Sequence, residues 1–111
     1  MNLLEETKDF MEEHGINPCY VLFCRTKHKV FPWSVFEACA DFEYDNGYGG
    51  AEVDTTLEIH GFHDRIFGTE WVMYRHEYDG AEWWEIISND VRGLERVDTI
   101  DLKMEGYESV N

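Results

Sequence analysis

Between Val30 and Asp64 the chain contains no lysine and no arginine. Over those 35 residues it places eight carboxylates, Glu37, Asp41, Glu43, Asp45, Glu52, Asp54, Glu58 and Asp64, which supply −8 of the formal net charge of −15. A chain so poor in cations has no positive footprint with which to release counterions from phosphate, so direct nucleic-acid binding is excluded as a reading, and an anionic membrane surface would repel it. Cysteine is scarce and odd in number: Cys19, Cys24 and Cys39 form neither a CxxC nor a paired zinc spacing. They read as reduced, structural thiols, which points to the cytoplasm. No apolar run approaches the ~18 residues of a membrane span, and the opening residues Met1 to Asp9 lack the apolar core of a secretory signal. There is no nucleophile elbow, phosphate-binding loop or dinucleotide fingerprint. These absences favour a non-enzymatic protein without a cofactor.

What the chain does contain is enough to fold. Hydrophobic residues reach 43%, including seven Phe, six Tyr and four Trp, which is too many for a disordered acidic tail. Its 111 residues suit one compact domain, 1–111. The charge is uneven: residues 1–29 carry only −1 and residues 65–111 carry −6. One basic cluster, Arg25, Lys27 and Lys29 around His28, reads as the seed of a salt bridge to the acidic surface.

The periodicity predicts an α+β fold, an N-terminal helix packed on a mainly antiparallel sheet. Residues 2–14 read as the helix, with Leu3, Leu4, Phe10 and Met11 as its apolar stripe, Gly15 as the C-cap and Pro18 beyond the stop. Cys19–Cys24 reads as a strand buried on both sides, turning at Thr26-Lys27-His28 into a return over Lys29–Trp33 that Pro32 confines to an edge, a hairpin over 19–33. Ser34 to Tyr44 is ambiguous between helix and strand. Ser34 and Glu37 fit a capping box with Val35, Ala38, Cys39 and Phe42 on one face, while Phe36, Ala38, Ala40, Phe42 and Tyr44 alternate as in a strand; a short second helix over 35–42 is favoured. Asp45 to Gly50 is a turn-rich loop, and Thr55–His60 reads as a strand with Leu57 and Ile59 inward. The clearest local signal is Asp79-Gly80, joining Glu70–Tyr78 to Ala81–Ile87 as a hairpin over 70–87. Pairing about that turn sets Arg75 opposite Trp84 and Met73 opposite Ile86, with Trp71 on the same face and Tyr74, His76 and Trp83 on the other. Val97, Ile100 and Leu102 read as a last short strand or packed loop.

Three constellations could carry chemistry. Asp41-x-Glu43-x-Asp45…Glu52 has carboxylates spaced as in an EF-hand, but Asn46 stands where that loop needs glycine. His60-x-x-His63-Asp64, with Glu58 nearby, offers metal ligands as an alternative to a metal-free reading. Trp71, Trp83, Trp84, Tyr74 and Tyr78 are a sheet core or an interface patch, and a hairpin has room for both.

The segments Asp45-Asn46-Gly47-Tyr48-Gly49 and Glu77-Tyr78-Asp79-Gly80-Ala81-Glu82-Trp83-Trp84-Glu85 resemble segments of small bacteriophage proteins, over roughly residues 40–87. The resemblance implies a viral or mobile-element origin, hence a host cytoplasm, and transfers no activity or site. The expectation is then a phage-type inhibitor of a host nucleic-acid-binding or defence enzyme. It would act through an acidic, nucleic-acid-mimicking surface built from Glu37, Asp41, Glu43, Asp45, Tyr48, Glu52, Asp54 and Glu58. Neighbouring carboxylates on an extended strand recur about every 6.6–6.8 Å on one face and so offer arginine and lysine the charge they meet on phosphates. The alternatives are an immunity protein for a basic nuclease toxin, or a small metal-binding module or metal-dependent enzyme using His60, His63 and nearby acids. The partner is a basic protein, and outward aromatics leave room for a homodimer.

Overall fold

The computed structural model of the chain describes residues 1–47, 50–63, 69–90 and 99–103. It is α+β: two helices and a five-stranded, wholly antiparallel sheet. Tyr48, Asp64 and Val97 lie outside the described residues.

Helix α1 spans Leu3–Glu13. Asn2 starts it, accepting from the Glu5 amide at 3.0 Å, and Glu5 and Glu6 place negative charge in the first turn, where the helix dipole favours it. It stops at His14 because Gly15 takes φ 67°, so that the Ile16 amide reaches back to the Met11 carbonyl at 2.8 Å. The buried stripe is Leu3, Thr7 and Met11, a repeat of four, whereas Leu4 and Phe10 are only partly buried. Its centre is therefore polar. The Thr7 hydroxyl donates to the Leu3 carbonyl at 2.7 Å and accepts from the Trp84 indole at 2.9 Å, so its burial costs no hydrogen bond.

Strand β1 is Val21–Arg25, preceded by a 3-10 turn over Pro18–Tyr20 in which the Asn17 side chain accepts from the Cys19 amide and the Asn17 carbonyl from the Tyr20 amide. Only Cys24 in it is buried, and Leu22 is exposed, so the strand is not covered on both sides as the apolar run suggested. β2 is cut to Val30–Phe31: Pro32 removes the next ladder donor and becomes the cap of α2, Trp33–Cys39, so Trp33 opens a helix instead of closing a strand. The expected Ser34 capping box does not form, because the helix begins before Ser34 and no side chain caps it. Its expected apolar face is also rotated. Phe36 and Ala40 are buried, one helical turn apart, while Val35, Ala38, Cys39 and Phe42 are exposed.

β3 is Glu58–Phe62, later than expected because Asp54–Leu57 closes a turn first; β4 is Thr69–Tyr78 and β5 is Ala81–Asp90. The sheet order is β2-β1-β3-β4-β5. The β4–β5 register pairs Arg75 with Trp84 and Met73 with Ile86, as the Asp79-Gly80 turn requires. Asp79 (φ 53°) and Gly80 (φ 85°) both take the positive φ of a type I′ turn. Cys24, Ile59, Met73 and Ile86 form one row across four strands on the helix-facing side. Gly61 lies in the same layer opposite Trp71, and a methyl group at Gly61 would overlap both the Trp71 ring and the Tyr20 carbonyl. Ile100 and Leu102 are exposed and belong to no strand.

Candidate binding surface

The loop that carries most of the acids is held from beneath by a buried charged network. Arg75 points into the core from β4, its side chain 1% exposed. It donates to Glu6 of α1 at 3.0 Å, to the Tyr44 hydroxyl at 3.2 Å and to Glu82 of β5 at 3.3 Å. Tyr44 in turn donates to Glu6. The guanidinium also lies 5.0 Å from the Trp84 ring centroid and 5.8 Å from that of Tyr44. Burial opposes the Arg75 charge, but its hydrogen bond to Tyr44 and the field of Glu6 outweigh that and push its pKa up. Burial, followed by the bond to Glu6, pushes Tyr44 up to about 12. Glu82 then spends its carboxylate on the loop, accepting from the Glu52 amide at 2.7 Å and the Val53 amide at 3.2 Å. Asn46 closes the structure from outside, exchanging two hydrogen bonds with the Glu82 main chain at 2.8 and 3.1 Å. Tyr44, Asn46, Glu52 and Val53 are thus tied to α1, β4 and β5 between them. No local pattern announces this, since the partners come from four distant parts of the chain.

On that support the acids divide into groups. Glu43, Asp45 and Glu52 line one shallow depression of about 190 Å³ with Met1 and Tyr44. Glu37 and Asp41 continue the surface along the start of α1, where Glu37 meets Lys8 at 3.4 Å and Asp41 accepts from the Asn2 side chain at 2.9 Å. Glu43 meets the Met1 amino group at 3.2 Å. Asp45 and Glu52 form no ion pair among the described residues; Glu52 instead accepts from the Asp45 amide at 2.9 Å. On α1, Glu5, Asp9, Glu12 and Glu13 are exposed, as a solvated helix face requires.

Two acids are elsewhere. Asp54 sits by the β1–β2 turn, where the Thr56 hydroxyl at 2.6 Å and the Thr56 amide at 2.8 Å hold its carboxyl below the usual range. Glu58 lies on the solvent-facing side of the sheet, paired with His60 at 2.8 Å, whose ring stacks on Phe23 with centroids 4.5 Å apart. That contact gives His60 a carboxylate partner; Asp64, the third residue of the metal alternative with His60 and His63, lies outside the described residues. Among the described residues no group of three His, Cys, Asp or Glu side chains could hold a metal ion; of the acids with EF-hand spacing, Asp41 accepts from Asn2, Glu43 meets the Met1 amino group and Glu52 accepts from the Asp45 amide. The basic cluster also departs from expectation: among the described residues Arg25, Lys27 and Lys29 form no ion pair, and with Phe23, His28 and Val30 they line an open depression at the β1–β2 turn.

The aromatic set is divided by the pleat. Trp71 and Trp84 are core, whereas Trp83 and Tyr78 are exposed and Tyr74 is half-buried. Among the described residues no helix is long and apolar enough to cross a membrane. No protein-family model matches the chain, and no curated protein or solved structure is detectably similar to it.

Proposed function

We propose that the protein is a non-enzymatic binder that docks its acidic surface, centred on Glu43, Asp45 and Glu52, against a basic protein. The phage-type inhibitor of a nucleic-acid-binding or defence enzyme is the version of this reading that best suits a compact anionic domain. The observation that carries it is the anchoring of the acidic loop. A loop whose role was only to keep the protein soluble has no need of the buried Arg75 and Glu82 beneath it, whereas a charged template gains affinity from being rigid before it binds. Surface carboxylates contribute little to folding, so they can be spent on recognition.

The test is to capture the partner from the native host, identify it and titrate it with wild type and with Glu43→Lys/Asp45→Lys at low and physiological salt. The double reversal should leave the melting temperature unchanged and weaken binding by about tenfold or more, and salt should weaken the wild-type complex as the Debye length shortens. Affinity indifferent to both would reduce the acidic side to a solubility device.

A further inference from the structure

The two edges of the sheet are built differently. β2 is two residues long and ends at Pro32, so little can pair with it. β5 runs for ten residues, Ala81–Asp90, in unbroken register with β4 and without proline or lysine. The hydrogen-bonding phase of its edge follows from Asn46. Because the Asn46 side chain takes both the amide and the carbonyl of Glu82, the main-chain groups of Glu82 point away from β4. Antiparallel strands alternate, so Trp84, Ile86 and Ser88 point the same way. Their amides and carbonyls have no hydrogen-bond partner among the described residues. Beyond the Asn46 cap the edge is an open template among the described residues.

We infer that this edge receives an extended segment of the basic partner, which adds to the sheet as a sixth strand; the inference rests on the reading above that the partner is basic. Charge selects the occupant. A second copy would bring another −15 against the first, whereas a cationic strand is attracted. Side chains beside the edge alternate in a way that specifies the segment. On the solvent face stand Trp83 and Glu85, joined by the Trp83 indole donating to the Glu85 carboxylate at 3.1 Å, a ring and an anion suited to lysine or arginine. On the other face stand Trp84 and Ile86, which suit an apolar residue. The segment therefore alternates basic and apolar residues, its main chain supplying affinity and its side chains selectivity.

The experiment uses the full chain and a short peptide of alternating lysine and valine, with a glutamate–valine peptide as control. In the free protein, hydrogen exchange at the Trp84, Ile86 and Ser88 amides should be fast beside that of Val72 and Tyr74, whose amides lie inside the ladders. The lysine peptide should slow those three amides by about tenfold or more, and the control should not. Ser88→Pro removes an outward amide without costing a bond to β4, so it should abolish binding and keep the fold. Should that variant unfold, N-methylation of alternate peptide residues replaces it: methyls on the amides that face β5 abolish binding, and methyls on the others do not. Wild-type binding by Ser88→Pro, or indifference to both methylation patterns, overturns the inference. So does slow exchange of the three amides in the free protein, whether its own chain or a second copy covers them. Loss on Ser88→Pro with no effect of Glu43→Lys/Asp45→Lys upholds the edge and removes the acidic-surface reading; the reverse result upholds the acidic surface and removes the edge.

Discussion

The two faces of the β4–β5 hairpin carry similar side chains and do opposite work. Facing the helices are Trp71, Met73, Arg75 and Trp84, each at most 6% exposed. Facing solvent are Val72, Tyr74, His76, Trp83 and Ile87, none of them buried. Trp83 and Trp84 are neighbours in sequence, yet Trp84 bonds Thr7 of α1 deep in the core while Trp83 leans on His76, ring centroids 4.9 Å apart, at the surface. Composition cannot separate the two sides. What separates them is which one the helices cover, and the covered side even admits an arginine because two carboxylates and a tyrosine meet it there.

The hardest way to break this contrast is to remove a member of the covered side. Arg75→Ala leaves Glu6 and Glu82 buried without their cation and should cost about 3–5 kcal/mol, and Trp84→Ala a similar amount through its cavity and the orphaned Thr7. Denaturant titration measures both. A loss below about 1 kcal/mol for Arg75→Ala would mean that the network only decorates a core stable without it.

Alkaline pH acts on the covered side without a mutation. Burial pushes the Cys24 thiol from its ordinary 9.0 up to about 12, and Tyr44 rises from 10.0 to about 12. Both neutral acids hold their protons more tightly in the folded state. Their contribution is complete below about pH 9 and is lost as pH climbs toward 12. The melting temperature should fall across that window, by up to about 1.4 kcal/mol of stability per pH unit for each group, and Cys24→Ala should flatten its lower part. Native alkylation near neutrality should modify the exposed Cys19 and Cys39 and spare Cys24.

The smallest effect belongs to the solvent side. Trp83→Ala should cost less than about 1 kcal/mol by the same titration, while weakening a bound cationic strand beside it. A cost equal to that of Trp84→Ala would erase the distinction between the faces.

The hairpin was legible in the sequence because one dipeptide sets its turn, and the turn then sets every pairing as far as Trp71 and Ser88. The α1 stripe was legible at its ends and not at Thr7, since a buried hydroxyl carries no hydrophobic signal. Ser34 misled because a proline two residues earlier had already begun the helix. For the candidate surface, the carboxylates could be read off but not their support. Glu6, Tyr44, Arg75 and Glu82 are drawn together only by the finished fold, and the β5 edge, open among the described residues, is a property of the main chain, on which side-chain patterns are silent.

Gly61 and Trp71 bind the history of this chain as well as its core. With Trp71 in place, any side chain at Gly61 collides with the indole and with the Tyr20 carbonyl; with Gly61 in place, a smaller residue at Trp71 leaves a hole where the ring had been. Neither position can drift alone, so the two should be inherited as a unit. A distant descendant is better recognised by a glycine facing a tryptophan across adjacent strands than by any run of consecutive letters.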